Sequence, residues 1–284
     1  HIDKTEGWEN INHYSKQVNG KNELVDTFKI FKVATNKNQT SFIKETFNKI
    51  DEIIDLDFTE MSHNNGSMID LYHINYSSNL SNDVVGQALS QRVDKGSWWD
   101  IYWKEKKGIE TNTNFNFNTI IHEIGHTLGL SHPFNDPFEK SFTSQDTIMS
   151  YNKGPNGWDK WFSETDLNAL ISIWGRENDN GSMTFGNSSN NYKYKKTLDK
   201  KYQIKSVIGY EDISETNRLI FSDKVINKED IVGVFDTLES INHISSKLYR
   251  LYNTAFGRFP DLNGLKYWIK KNTTNENSFR ETAI

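Results

Sequence analysis

Three of the eight histidines in this 284-residue chain fall within residues 122–132, which read His-Glu-Ile-Gly-His-Thr-Leu-Gly-Leu-Ser-His. Residues four apart share one face of a helix, so His122 and His126 can bind the same metal ion. Glu123 lies one residue round the helix from the first ligand, where its carboxylate can serve as a general base toward water. The segment therefore predicts a helix, expected over residues 118–130, that carries a metal site.

A third ligand follows from the residues after the second histidine. A catalytic zinc ion needs three protein ligands and one open position, and His132 is predicted to be the third. Gly129 can adopt a left-handed conformation that ends the helix and turns the chain back toward the metal, and Pro133 prevents further helix. Two histidines at this spacing can also be ordinary surface or core residues. The third histidine, with glutamate and glycine at the required positions, favours a catalytic zinc site.

The other elements are predicted from periodicity and turn residues. A helix capped by Thr40 or Ser41 is expected to run to Ile54, and a second helix is expected from Ser163 to Gly175. Ile121, Ile124 and Leu128 should bury the metal-site helix against a sheet, while Gly125 permits close approach of a neighbouring element. Strands are predicted at the following residues: 57–61, 68–76, 83–91 (a short edge strand) and 98–104.

Composition excludes several classes of function. The net charge of -5 argues against nucleic acid as the main partner. No run of about 18 apolar residues exists, so no membrane span is expected. The absence of cysteine excludes thiolate zinc sites, disulfides and cysteine nucleophiles.

The first residue is His1 and no leader follows it, so we expect a processed form whose export signal lies outside this sequence.

Residues 122–133 resemble the metzincin clan of zinc peptidases, and specifically its serralysin family. Met149-Ser150-Tyr151 is similar to the Met-turn of that family, and residues 163–175 resemble the helix that closes its catalytic domain. The likeness covers residues 25–176 and is strongest from residue 118 onward. It implies an α+β fold: a twisted, mostly parallel sheet with an antiparallel edge strand, the active-site helix, the Met-turn and the closing helix.

The resemblance also implies roles for individual residues. Met149 would form a hydrophobic floor beneath the three imidazoles, although a plain core methionine would pack in the same way. Tyr151 would be an additional zinc ligand in the resting enzyme and would hydrogen-bond the oxyanion during catalysis; the alternative is a packed tyrosine. Together with Glu123 as general base, these residues imply hydrolysis of peptide bonds.

Extended protein or peptide substrates would bind along an edge strand. Gly86, Gln87 and Ala88 resemble the clan's substrate-pairing strand, although an ordinary polar loop is an equally good interpretation. Trp98, Trp99 and Trp103 could form a stacking platform for sugars, but strand alternation favours core packing.

The C-terminal part resembles a helical bacterial domain of unknown function found in exported and surface proteins. The resemblance rests on Arg258, Pro260-Asp261, Gly264-Leu265 and Tyr267-Trp268, where a turn and a helix start should join two amphipathic helices.

The predicted domains are a peptidase domain at 1–177 with 1–38 as an N-terminal extension packed on it, a linker at 178–200, a small β-containing region at 201–240, and a partial helical domain at 241–284. The C-terminal region is thus a small mixed α/β region.

Zinc is the predicted cofactor. Calcium is possible at residues 177–181 or 261–264, although solvated turns are the better interpretation, and the calcium-binding glycine-rich repeats typical of serralysins are absent.

The leading hypothesis is a secreted or cell-surface endopeptidase, with a proteinaceous inhibitor or a cell-surface partner possible. The alternatives are a surface-attachment protein whose zinc domain is accessory, and a narrow peptidase for one partner protein or cell-wall peptide.

Overall fold

The computed structural model describes residues 1–16, 22–94, 96–105, 113–177, 181–206 and 209–283. They fall into two compact units. The first unit comprises His1–Asp51 and Leu56–Trp174, and the second comprises Glu52–Asp55 and Gly175–Ile284. The chain therefore divides after Trp174, close to the predicted domain end at residue 177, and the short segment at 52–55 joins the second unit.

A five-stranded sheet in the order β1-β2-β3-β5-β4 forms the frame of the first unit. Its strands are β1 (Gly7–Lys16), β2 (Asn22–Lys32), β3 (Ile69–Ser77), β4 (Gly86–Val93) and β5 (Gly96–Trp103). Among these described strands only β3 and β5 pair in parallel, while the other three pairings are antiparallel. The prediction of a mostly parallel sheet is therefore wrong, and the predicted antiparallel edge strand is confirmed as β4.

The N-terminal residues are part of this sheet and not an extension packed on it, as residues 1–38 were predicted to be. β1 and β2 form a long antiparallel hairpin, and β2 continues the sheet by pairing with β3. Only a few apolar side chains anchor the hairpin, chiefly Ile11, Phe28 and Ile30 in the core. The Gln91 side chain of β4 accepts from the Tyr14 N–H at 2.8 Å, so the sheet curls until its two edge strands meet.

The two faces of the sheet carry different residues because side chains alternate along each strand. On one face Tyr72, Ile74 and Tyr102 pack with the hairpin residues in a buried core. On the other face Leu71, Ile101 and Trp103 are buried, and α2 lies against β4 and β5. The fully buried Trp103 confirms core packing for that residue.

Three helices complete the first unit: α1 (Lys37–Asp51), α2 (Thr113–Thr127) and α3 (Glu164–Trp174). α1 begins earlier than predicted because Asn36 caps it: Asn36 and Gln39 exchange side-chain-to-backbone hydrogen bonds at 3.0 Å. The predicted start and stop of α3 are confirmed, since the Asp166 N–H donates to Ser163 and Gly175 has φ +87°. Residues 57–61, predicted as a strand, have no regular structure.

The second unit combines two small sheets with helices. Its strands are β6 (Ser182–Thr184), β7 (Lys193–Lys196), β8 (Tyr202–Ser206), β9 (Gly209–Asp212), β10 (Arg218–Ile220) and β11 (Val225–Asn227). They form the sheets β11-β10-β6 and β7-β8-β9. The predicted linker at 178–200 is a mistake in its described part, because β6 and β7 lie there and Met183, Phe185, Tyr192 and Tyr194 enter a buried core. In the sequence these apolar residues stand isolated among polar surface residues, so no strands were predicted there.

The helices of the second unit follow the strands. They are α4 (Lys228–Thr237), α5 (Ile244–Ala255), α6 (Leu262–Thr273) and α7 (Phe279–Thr282). Val234, Leu248 and Leu265 form their common core. The predicted helix start after Pro260 is confirmed, because Asp261 caps α6 by accepting from the Gly264 N–H at 2.6 Å. Residues 178–180 of the possible calcium segment lie outside the described residues. In the described part of the chain, no helix is both long and apolar enough to cross a membrane.

Candidate metal centre

The end of α2 brings the third histidine back to the first two. α2 starts before the predicted residue 118 and ends at Thr127. Gly129 has φ +101°, and the Leu130 N–H donates to the Gly125 carbonyl at 2.9 Å, which closes the helix with a left-handed turn. A side chain at residue 129 would be strained in this conformation. His132 consequently lies beside His122 and His126.

The three imidazoles converge through their Nε2 atoms. His132 Nε2 lies 3.2 Å from His122 Nε2 and 3.2 Å from His126 Nε2, and the three residues form a group that could hold a metal ion. Tetrahedral zinc with Zn–N bonds of about 2.0–2.1 Å would separate such nitrogens by about 3.3 Å. A metal ion at the centre would take one nitrogen lone pair from each of the three rings. The geometry therefore fits zinc.

Hydrogen bonds on the other ring nitrogens set the tautomers of two ligands. His122 Nδ1 donates to the Ile148 carbonyl at 2.9 Å, and His126 Nδ1 donates to the Leu130 carbonyl at 2.9 Å. This leaves Nε2 of each ring with its lone pair facing the centre. Burial lowers the pKa of His122 to about 3 and also lowers the pKa values of His126 and His132. All three rings are thus held neutral, as metal ligands must be.

Glu123 lies between the metal-site helix and the edge strand. Its side chain is buried and accepts a hydrogen bond from the Ala88 N–H, while burial raises the pKa of its carboxyl to about 8. A Cβ at Gly86 would meet Glu123 Oε1 at only 2.4 Å, so β4 can approach this closely only because residue 86 is glycine. β4 therefore begins directly beside the Glu123 carboxylate, with Gly86, Gln87 and Ala88 as its first residues.

Met149 lies beneath the metal-site helix. It is only 1% exposed, and a Cβ at Gly125 would lie 2.8 Å from its Sδ atom. The predicted close approach at Gly125 is thus made by Met149. A bulkier residue at 125 would push the methionine away from the metal-site helix.

Asp166 fixes the segment that carries Met149, a role that the sequence did not indicate. Its buried carboxylate accepts from the Ile148 N–H at 2.8 Å and from the Thr147 hydroxyl, and the Ile148 carbonyl in turn accepts from His122. A chain of hydrogen bonds therefore connects α3, residues 147–148 and His122. The Ser163-to-Asp166 spacing predicted only a helix cap.

Tyr151 stands at the open side of the cluster. Its ring centroid lies 5.0 Å from that of His122 and 5.3 Å from that of His132, and the residue is 41% exposed. Burial and the nearby Glu123 charge raise the pKa of its phenol, which keeps the hydroxyl protonated as a hydrogen-bond donor. Phe138 packs edge-on against Tyr151 at 5.3 Å, a contact between distant turns that no local sequence signal predicted.

A family comparison agrees with this geometry. The Matrixin family model matches residues 4–137, a range that holds His122, Glu123, His126 and His132 and ends before Met149. The match begins ahead of β1, consistent with the N-terminal hairpin being part of the domain. No protein among those with curated descriptions matches the chain. The Matrixin match and the three-histidine group together support a metzincin-type zinc metallopeptidase, a hydrolase acting on peptides or proteins.

Proposed function

We propose that this chain is a zinc-dependent endopeptidase of the serralysin-like type that cleaves extended polypeptides. The observation that carries the proposal is the buried Glu123 carboxylate, placed between the converging histidines and the first residues of the edge strand β4. Such an arrangement holds a proton acceptor where a metal-site helix and a substrate-pairing strand meet.

The chemistry divides between the metal and the chain's own residues. Zinc held by His122, His126 and His132 would supply a Lewis acid that polarises the scissile carbonyl and acidifies water. Glu123 takes the proton from the attacking water and delivers it to the leaving amine. The pKa of the Glu123 carboxyl is about 8 without a metal ion. The positive charge of a bound zinc would lower this pKa into the range that both proton transfers require.

Tyr151 is proposed to stabilise the developing negative charge. Its hydroxyl is held protonated and lies on the ring that packs against two of the three ligand imidazoles. A donor in this place can hydrogen-bond the oxyanion of the tetrahedral adduct. In the resting enzyme the same oxygen would serve as an additional zinc ligand.

The substrate is proposed to add a strand to the edge of the sheet at Gly86, Gln87 and Ala88. β4 is the last strand in the sheet order and pairs with β5 on one side only. Main-chain pairing at this edge would give affinity for any extended peptide and leave selectivity to side-chain pockets. A broad endopeptidase is therefore favoured over a peptidase dedicated to one partner.

The serralysin-like assignment and an exported location rest on sequence. Residues 122–133, the Met149-Ser150-Tyr151 segment and residues 163–175 support the first. The second is supported by the likeness of the C-terminal part to domains of exported and surface proteins. A secreted or cell-surface peptidase is the proposal, with a calcium requirement left as a hypothesis for residues 261–264.

The test combines metal analysis with turnover. The purified chain is expected to contain one zinc per molecule and to cleave unfolded casein, to lose activity on chelation, and to regain it when zinc is returned. Bound zinc without turnover on casein or a peptide library would favour the attachment protein. Absence of zinc after reconstitution would refute the peptidase proposal altogether.

A further inference from the structure

The β7–β8 hairpin of the second unit is strongly basic in a chain of net charge -5. Residues 193–205 include six lysines and one acidic residue, Asp199. The lysines are Lys193, Lys195, Lys196, Lys200, Lys201 and Lys205. Such a concentration of one charge attracts anionic partners over a short range.

Three of the four strand lysines, Lys193, Lys195 and Lys205, lie on the outer face of the β7-β8-β9 sheet. Tyr194 and Ile204 point into the core, so their neighbours Lys193 and Lys205 face outward, and the two lie directly opposite each other in the register. Like charges in this position destabilise a strand pair. An anion bound between Lys193 and Lys205 would attract both lysines and offset their mutual repulsion.

Few of these charges are neutralised within the molecule. Lys196 pairs with Asp236 at 2.6 Å and Lys201 pairs with Asp212 at 3.3 Å. Lys195 instead lies 3.6 Å from the ring centroid of Tyr210, and Lys205 lies 5.7 Å from the same ring. Four of the six lysines make no ion pair with any residue that the structure describes: Lys193, Lys195, Lys200 and Lys205.

The tip of the hairpin presents an apolar side chain in the middle of these lysines. Leu198 is fully exposed, at 105%. The turn around it is ordered, because the Thr197 N–H donates to the Lys201 carbonyl at 2.8 Å and Lys200 takes φ +62°. A single exposed leucine is ordinary on a protein surface. An exposed leucine at the tip of a basic hairpin, however, can enter an apolar layer while the lysines contact the anionic groups above it.

We propose that the β7–β8 hairpin docks on the surface of an anionic lipid bilayer, with Leu198 entering the interfacial region and the lysines contacting headgroup phosphates. A soluble polyanion in water would satisfy the lysines and give Leu198 no apolar partner. A bilayer boundary accommodates both, since its apolar layer lies directly beneath the anionic headgroups. Such docking is independent of the peptidase chemistry and needs no membrane-spanning segment.

The experiment is co-sedimentation of the full chain with lipid vesicles at low salt. The chain is expected to bind vesicles made of equal parts phosphatidylcholine and phosphatidylglycerol and to stay in solution with phosphatidylcholine alone. The triple substitution Lys193→Gln, Lys195→Gln, Lys205→Gln should weaken binding about a hundredfold, given about 1 kcal/mol for each lysine near such a surface. Leu198→Ser should weaken it about tenfold.

Two matched controls in the same unit separate the hairpin from general surface properties. The triple substitution Lys224→Gln, Lys247→Gln, Lys266→Gln removes three exposed lysines outside the hairpin. Ile241→Ser removes an apolar side chain that is 73% exposed. Both controls should bind vesicles like the parent chain. Circular dichroism melts should show that all variants keep the parental fold. The proposal is overturned if the parent ignores anionic vesicles or if the lysine variant binds undiminished. A loss with Leu198→Ser no greater than with Ile241→Ser would also overturn it, because Leu198 would then not enter the bilayer.

Discussion

Glu123 is the residue whose loss should separate metal binding from turnover. Glu123→Ala removes the proposed base and none of the three imidazole ligands, so zinc content should stay at the parental level. kcat/KM on a peptide substrate should fall by about 10²–10⁴, the usual contribution of a positioned acid–base group, or more. Zinc analysis and steady-state kinetics on the same preparation provide the check. A variant that loses its metal would contradict the role assigned to Glu123.

Tyr151 should affect the transition state more than the bound substrate. In Tyr151→Phe the ring contacts with His122 and His132 can persist, while the hydroxyl donor is gone. We expect kcat to fall by about 10²-fold with a smaller change in KM. A parental kcat in this variant would leave Tyr151 with a packing role only.

Single residues were predicted from sequence wherever their role is fixed by local spacing. The positions of His122, His126, Gly129 and His132 follow from the pitch of a helix and the need to end it, and the structure gathers them as expected. Phe138 contacts Tyr151, and Asp166 of α3 contacts Ile148, so both pairs join residues that are not local in sequence. No periodicity marks such contacts, and only the fold reveals them.

At the scale of elements, Asp166 connects α3 to His122 through the backbone of Ile148. Asp166→Asn replaces an acceptor of several N–H and O–H groups with a side chain that offers only one carbonyl oxygen. The Ile148 carbonyl and with it His122 should lose their fixed position, and zinc affinity should fall about 10–100-fold. Competition with a chromophoric chelator measures this affinity. Ser172→Ala, which alters an exposed side chain of the same helix, is the control and should bind zinc normally.

The parallel pair β3–β5 carries a buried acidic pair that should make stability depend on pH. Asp70 and Asp100 lie opposite each other in register, and burial raises the pKa of Asp100 from 3.8 to about 6. The folded chain thus holds this proton more tightly than the unfolded chain. The group's contribution to stability is complete below about pH 4, declines as the pH rises to about 6, and is constant above that.

Asp100→Asn should remove this dependence. The amide oxygen still accepts from Gln91, whose amide donates to Asp100 at 2.7 Å in the parent. Relative to the parent, the variant's free energy of unfolding should increase by about 2 kcal/mol between pH 4 and pH 7. Urea unfolding across this range is the measurement. Parallel pH curves for the two proteins would refute the assignment.

The elements missed in the sequence have two physical causes. β1, β6 and β7 carry few apolar residues, and β2 and β6 pair with strands far along the chain, β3 and β10. The polar segment 178–200 therefore resembles a linker in sequence, although single apolar residues within it, such as Tyr194, are buried in a core. Helices with strong caps were easier: Ser163 marked α3 and Asp261 marked α6.

At the scale of the whole molecule, the division into two compact units predicts that zinc stabilises only one of them. All three ligands lie in the first unit, which comprises His1–Asp51 and Leu56–Trp174. An ion that binds the folded state alone adds about 4 kcal/mol to its stability when present at a thousand times its Kd. Differential scanning calorimetry should therefore resolve two transitions, and chelation should lower the Tm of one and leave the other in place.

His126→Ala identifies which transition belongs to the zinc-binding unit. Since the variant lacks a ligand, its corresponding transition should already lie low and should no longer respond to the chelator, while the second unit unfolds as in the parent. If both parental transitions moved together on chelation, or only one existed, the two units would be unfolding as one cooperative block. The core of the second unit, built from its own strands and helices, is the physical reason to expect the opposite.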